Sequence, residues 1–567
     1  MTTPTSIRLA CLLALSWAAS AASEPKLLLK NGRIHSSQGV VAAMAVDDRG
    51  VIVALGTSAD VAKQAGTGTK VIDLQGKAVL PGFHDMHVHP LYAGLSASRC
   101  SIAQGASLAD FKKGVAACVS RSTRGHWIIG GQWDASALGR APTSAMLDAV
   151  SPDNPVLLDD TSGHSALANK RALEAAGITK ATSDPVGGII ERDSSGRPTG
   201  VLRESAIELV RKHVPVATEQ EVRTALEWSL RKMLSYGITS FVEASVGFAA
   251  GYEQELAAYA ALADAGTFKQ KARLCLTWAP GEESGEAMIA ARNRYSRERL
   301  SLDCVKIFLD GVPTDSHTAA MLDPYMGTVS GREDEASRKG MLMVKQDVLD
   351  AAVTRFDRMG LTVKFHAAGD AAVRAGLNAI EAARKANGFS GQMHDVGHCT
   401  FVSKEDLPRA RAIGATFEAS PYLWAPSPIN DDITSAVGQP RIDRVWPIRE
   451  MIDSGAHVIP GSDWSVVPSV NPWLAVEMLV TREPAGGGAK SFGKAEAITL
   501  NEAVDLFTVN SARHMGRINQ VGKIESGMLA DVIVLDRDPF TAPVKTLHEV
   551  TVAMTLIEGE VVYQQTE

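Results

Sequence analysis

Residues Pro81 to Pro90 read PGFHDMHVHP, and how this stretch is read decides the fold. The run is apolar and β-prone, with His87 and His89 two positions apart inside it. Alternate side chains of a strand share a face, so both imidazoles point the same way. Two imidazoles converging at a strand end are the beginning of a divalent metal site. His84 lies deeper in the same run and is kept outside the ligand set. One histidine pair is a weak signal, so other strand ends have to supply further ligands.

Seven more strand-like runs follow: ITSFVEA from 238, RLCLTW from 273, CVKIFLDG from 304, LTVKFHAAGD from 361, DVGHCTFV from 395, ATFEA from 415 and HVIPGSD from 457. Between them lie helical patterns such as YEQELAAYAALADAG and AAVRAGLNAIEAARKAN, several stopped by glycine. Eight parallel strands alternating with helices predict an α/β fold, a (β/α)8 TIM barrel over residues 81–513. Residues 91–224 interrupt this alternation. Their helix pattern, the strand-like pieces WIIGGQWD and PVLLDD, and a hairpin turning at Ser194 to Gly196 predict an inserted lid or substrate subdomain. A second excursion spans 313–339.

Short β runs separated by glycine turns occupy the stretch before Pro81 and return in KIESGMLADVIVLD and VTVAMTLIEGEVVYQ. They predict one β-sandwich domain built from both termini, residues 23–80 plus 514–567. Residues 1–22 read as a cleaved signal peptide, because the apolar run from Leu9 to Trp17 falls short of the roughly 20 residues that span a membrane. The expectation is a secreted or periplasmic protein with no stable membrane anchor. A net charge of -7 carries no basic footprint and argues against nucleic acid as a partner. Past the signal, the cysteines are Cys100, Cys118, Cys275, Cys304 and Cys399. Cys100 and Cys118 flank a short segment and are expected to pair, contributing roughly 3 kcal/mol. The other three sit in apolar runs and read as small core residues.

In a TIM barrel the active groups lie at the carboxyl ends of the strands. Here those ends carry His87 and His89 on strand one, Lys306 on strand four, His366 on strand five, His398 on strand six and Asp463 after strand eight. Each alone has a bland reading as a hydrogen-bonded core residue, a snorkelling lysine or a helix cap. Together, on five strand ends, they read as one site.

The motifs GKAVLPGFHDMHVH, VKIFLDG, FHAAGD, VGHC, PGSDW and SGMLADVIVLDRDP resemble those of the metal-dependent amidohydrolase superfamily. GHSALANKRAL, GGIIERDSSGRPTGVLRE and TAAMLDPY further resemble the branch, amidohydrolase family 3, that includes N-substituted formamide deformylases. The resemblance implies that His87, His89, His366, His398 and Asp463 bind one or two divalent metals per subunit, zinc being the first choice. It also implies that Lys306 is carboxylated and bridges them. A metal would bring bound water toward a pKa of roughly 7. Asp463 would accept its proton and deliver one to the departing amine as a C–N bond of a small non-peptide amide, N-acyl or N-formyl, is cleaved.

The chain departs from the family pattern at Gly397, where an acidic residue commonly precedes the histidine, and at Ala371, where a basic residue is common. Neither change removes a ligand. His164 in TSGHSALAN and His317 in TDSHTAA are candidates for binding the substrate carbonyl or acyl part. Trp133, Trp424 and Trp464 are candidates for lining an apolar pocket. Deamination, ester or lactone hydrolysis by the same site, and a metal-binding scaffold without activity, are the competing readings. A homodimer is the default assembly.

Overall fold

Eight parallel strands form one sheet in sequence order: β1 (Phe83–Val88), β2 (Ile238–Val246), β3 (Lys271–Thr277), β4 (Leu300–Phe308), β5 (Thr362–Ala367), β6 (Asp395–His398), β7 (Thr416–Ala419) and β8 (His457–Pro460). The computed structural model describes residues 24–103, 105–326, 337–423 and 428–566. Residues 1–22, read above as a signal peptide, and Trp424 lie outside them. The two ends of the sheet meet through the loop after β8. Asp463 N–H donates to the His87 carbonyl at 2.7 Å, and His89 N–H donates to the Trp464 carbonyl at 2.9 Å. The sheet is thereby curled into a TIM barrel.

All nine residues of β2 are buried, as a strand must be when helices cover its outer face and side chains fill the barrel within. The helices Tyr252–Asp264, Gln346–Arg358 and Asp370–Asn387 lie outside β2, β4 and β5 in sequence order. The helix Glu219–Leu234 that leads into β2 starts with a capping box, Thr218 and Glu221 satisfying each other's backbone N–H groups. It packs on the helix Pro90–Ser98, where Gly94 approaches so closely that a Cβ would sit 2.1 Å from the Ala225 carbonyl oxygen.

Strands from both ends of the chain build the accessory sandwich. Val532–Leu535 lies antiparallel to Ala78–Pro81 within a six-stranded sheet. A four-stranded sheet containing Leu27–Lys30 and Ala43–Val46 faces it. Leu27, Leu29, Met44, Val46, Ile34, Val79, Val532, Val534 and Leu556 share the core between them.

The insertion carries its own six-stranded sheet, in the order Gly188–Arg192, Pro198–Glu204, Ser165–Ala168, Val156–Asp160, Ile128–Trp133, Cys100–Ser101. Asp193 closes the hairpin by accepting from the Ser195 and Arg197 N–H groups at 2.9 and 3.0 Å. Polar contacts join the insertion to barrel loops. Gln132 Nε2 donates to the Ser465 carbonyl at 2.9 Å, Arg203 reaches Asp315 at 3.1 Å, and Thr318 Oγ1 donates to Glu204 Oε1 at 2.6 Å.

Two sequence expectations need correction. Trp133 does not line a pocket: it is buried in the insertion's apolar core beside Leu158 and Leu167, and its Nε1 donates to the Leu158 carbonyl at 2.9 Å. Cys275 and Cys304 are not free core thiols. They are opposed in register on β3 and β4, with Cα atoms 4.3 Å apart, and form a disulfide beneath Met86 and Ile459 in one apolar cluster. Their register follows from barrel pairing, which spacing along the chain does not reveal. Cys100 and Cys118 are also joined, tying the edge strand of the insertion to the helix Leu108–Arg121. Among the described residues Cys399 is the free cysteine.

Candidate metal centre at the strand ends

The barrel gathers His87, His89, His366 and His398 into one cluster. The ring centroids of His87 lie 5.4 Å from His89 and 4.7 Å from His398, and His398 lies 4.5 Å from His366. Lys306 Nζ stands 3.5 Å from His87 Nε2. Asp463 Oδ1 stands 3.3 Å from His89 Nε2 and 3.7 Å from His87 Nε2. Donor atoms of His87, His89 and Asp463 lie within 4.8 Å of one another, as do those of His87, His398 and Glu418.

Each imidazole is held from behind at Nδ1. His87 faces Glu418 Oε2 at 2.6 Å, His89 faces Glu243 Oε1 at 3.2 Å, His366 faces Asp310 Oδ1 at 3.1 Å, and His398 faces the Ser420 hydroxyl at 3.0 Å. An acceptor behind Nδ1 fixes the tautomer that leaves the Nε2 lone pair available for an ion. The acceptors are themselves fixed. Asp310 also accepts from the Ala320, Ala368 and Gly369 N–H groups at 2.9 to 3.0 Å, and Glu243 accepts from the Tyr259 hydroxyl at 3.0 Å. His398 and Asp463 have left-handed backbones, φ 69° and 59°, a conformation that costs about 1–3 kcal/mol at a non-glycine residue and marks sites that the surroundings hold in place.

Burial and the neighbouring cations push the pKa values of His87, His366 and His398 well below the usual imidazole range. Neutral imidazoles are what a metal requires. Burial also acts against protonation of His89, but its hydrogen bonds to Asp463 and Glu243 outweigh that and raise it to about 9. A cation held there would take the place of that proton. Burial, and then repulsion from Lys364, bring Lys306 down to about 8.

The insertion brings His164 to the cluster, its ring 4.9 Å from that of His366. Its Nδ1 faces Glu204 Oε2 at 2.8 Å, and although burial opposes the charge, Glu204 raises it to about 9. His317 lies in the loop after β4, stacked on Tyr325 at 4.4 Å. Trp464 adjoins the cluster through its backbone, while its ring packs near that of Trp228 at 5.8 Å. His84 is buried lower in β1, with neither ring nitrogen hydrogen-bonded to protein.

Sequence reasoning missed Glu418, Glu243, Asp310, Glu204 and Ser420. The available signal was a carboxylate inside an apolar strand, as in ITSFVEA and ATFEA. Glu418 also accounts for the departure at Gly397, because a Cβ there would sit 2.6 Å from Glu418 Oε2 and 2.7 Å from the Phe365 carbonyl oxygen. The acidic group stands on β7 and needs the space on β6. Gly397→Ala is therefore expected to destabilise the protein by about 1–3 kcal/mol, read as a lowered melting temperature. An unchanged melting curve would mean that Glu418 moves aside freely.

Residues 70–563 match the family described as the amidohydrolase family. The chain belongs to it. The N-substituted formamide deformylase of Arthrobacter pascens is 28% identical over 536 residues, 91% of this chain and 94% of that one. The protein LONG AFTER FAR-RED 3 of Arabidopsis thaliana is 28% identical over 95% of this chain and 91% of its own length. The crystal structure of a metal-dependent hydrolase of uncharacterised role from Pyrococcus furiosus superposes with a TM-score of 0.66 at 25% identity, covering 91% of this chain and all of that one. This amidohydrolase is thus a hydrolase on a TIM barrel, from a superfamily that depends on metal.

Proposed function

We propose that this amidohydrolase cleaves a C–N bond in a small non-peptide amide, of the N-acyl or N-formyl class, with one or two divalent ions, zinc first among them. The observation that carries the reading is the set of four clustered imidazoles, each held at Nδ1 by a buried acceptor, with Asp463 beside Nε2 of His87 and His89 and Lys306 beside Nε2 of His87. Imidazole nitrogens, a carboxylate and an amine gathered at one largely buried place suit such an ion. His87, His89, His366, His398 and Asp463 would hold it, and Lys306 as a carbamate would bridge two. When bound, the cation supplies Lewis acidity, lowering the pKa of water toward about 7 and polarising a carbonyl.

Asp463 then takes a proton from the attacking water and returns one to the departing amine. His164, cationic beside Glu204, donates a hydrogen bond to the carbonyl oxygen as charge develops there. Burial of the cluster excludes bulk water, which strengthens these interactions. The relative named a deformylase supports the N-formyl arm of the class. The two disulfides support an exported setting. Among the described residues no helix is long and apolar enough to cross a membrane.

A screen of N-formyl, N-acetyl and aryl amides, with aryl esters and lactones alongside, tests this reading. Chelator-treated protein should be inactive and recover amide hydrolysis on adding zinc. Ester hydrolysis without turnover of any amide would overturn the bond class.

A further inference from the structure

Beneath the histidines a column of ionic groups runs down the barrel interior, and the proposed chemistry leaves most of it unused. His87 Nδ1 lies 2.6 Å from Glu418 Oε2, which lies 3.8 Å from Lys364 Nζ. Lys364 Nζ lies 2.6 Å from Asp395 Oδ1, and Asp395 Oδ2 lies 3.3 Å from His514 Nε2. No member is more than 3% exposed. Apolar residues of similar volume often stabilise a core as well as a buried ionic set does, so stability alone is a weak account of it.

We propose that Lys364, Asp395 and His514 are positioning residues for the metal centre, acting through Glu418 on His87; the inference rests on the metal reading above. Glu418 is closed in on both flanks, since a Cβ on Gly397 would meet its Oε2 at 2.6 Å and one on Gly461 its Oε1 at 2.7 Å. The Ser420 hydroxyl donates to Oε1 at 3.2 Å, and Lys364 Nζ is the cation that approaches Oε2, at 3.8 Å. Lys364 is opposed in register to Asp395 on β6 and to Lys306 on β4, so one barrel layer holds an ion-paired lysine next to the lysine that faces His87. The ion pair to Asp395 fixes the height of the Lys364 ammonium, and that ammonium holds the Glu418 carboxylate against Nδ1. His87 Nε2 is then kept aimed at Lys306 Nζ and Asp463 Oδ1. His514 ends the helix Ser511–His514 and supports Asp395 from below.

The test is a double-mutant cycle read by Co²⁺ affinity, from chelator competition, and by the visible spectrum of the full-length Co²⁺ protein. Lys364→Met should weaken Co²⁺ binding about ten- to a hundredfold, as loss of an outer partner does, and shift the ligand-field bands. In a Glu418→Gln background the same substitution should change affinity by less than roughly twofold, the limit expected when the intermediary is already gone. Affinity and spectrum unchanged in Lys364→Met, or equal losses in both backgrounds, would overturn the proposal. Should circular dichroism show that Lys364→Met does not fold, His514→Gln, which removes only the last link, goes through the same cycle and is judged by the same outcomes. A wild-type protein that binds no Co²⁺ would instead refute the metal centre itself.

Discussion

Asp463→Asn is expected to lower kcat by about 10²–10⁴-fold, the range for losing a positioned acid and base, and to leave the fold intact. Asparagine matches the shape of aspartate and tolerates the left-handed backbone found at this position, φ 59°. The backbone bond from residue 463 to the His87 carbonyl, which helps close the barrel, survives the change. What is lost is a carboxylate 3.3 Å from His89 Nε2 and 3.7 Å from His87 Nε2. An amide offers no basic oxygen to the attacking water and no proton to the departing amine. Steady-state kinetics on whichever amide the screen identifies, with a melting curve as the control, decide the matter. Retention of more than about a tenth of wild-type kcat would remove Asp463 from proton transfer, given the range expected.

Lys306→Met should be comparably severe for a different reason. Methionine fills similar space but cannot take up carbon dioxide, so the bridging oxygens are lost along with the amine. The lysine is buried, lies 3.5 Å from His87 Nε2 and has a pKa brought down to about 8 by burial and by Lys364, which leaves part of it as the free amine that forms a carbamate. The expected results are a fall in bound metal per chain, measured by atomic emission, and an activity loss greater than the about 10–100-fold that follows removal of an outer partner. Carbon-13 NMR after exchange into labelled bicarbonate should show a carbamate carbon in the wild type and none in the variant. Full metal content and activity in Lys306→Met would end the bridged two-metal reading.

These residues were legible in the sequence because each signal is local. A histidine or aspartate at the end of an apolar run, followed by a loop, can be seen without knowing what faces it. The same holds for the eight strands and their helices, whose periods of two and about 3.6 residues are written along the chain. The residues that hold the four histidines in place were not legible. Glu418 and His87 are 331 positions apart and meet only because β7 and β1 curve into one barrel. Cys275 and Cys304 lie in runs that read as ordinary core until register sets them opposite each other. Trp133 has the composition of a pocket residue, and only the insertion's own packing makes it a core residue.

By itself, then, the sequence determined that this protein is a barrel with histidines, a lysine and an aspartate at its strand ends, because secondary structure and side-chain direction follow from neighbours along the chain. The tertiary structure decided which nitrogen of each histidine is turned inward, which lysine is ion-paired and which faces the cluster, and why β6 carries glycine before His398. Those depend on contacts across the barrel between strands far apart in sequence. A carboxylate acts on whatever lies within a few ångströms of it, and that distance is set by the fold.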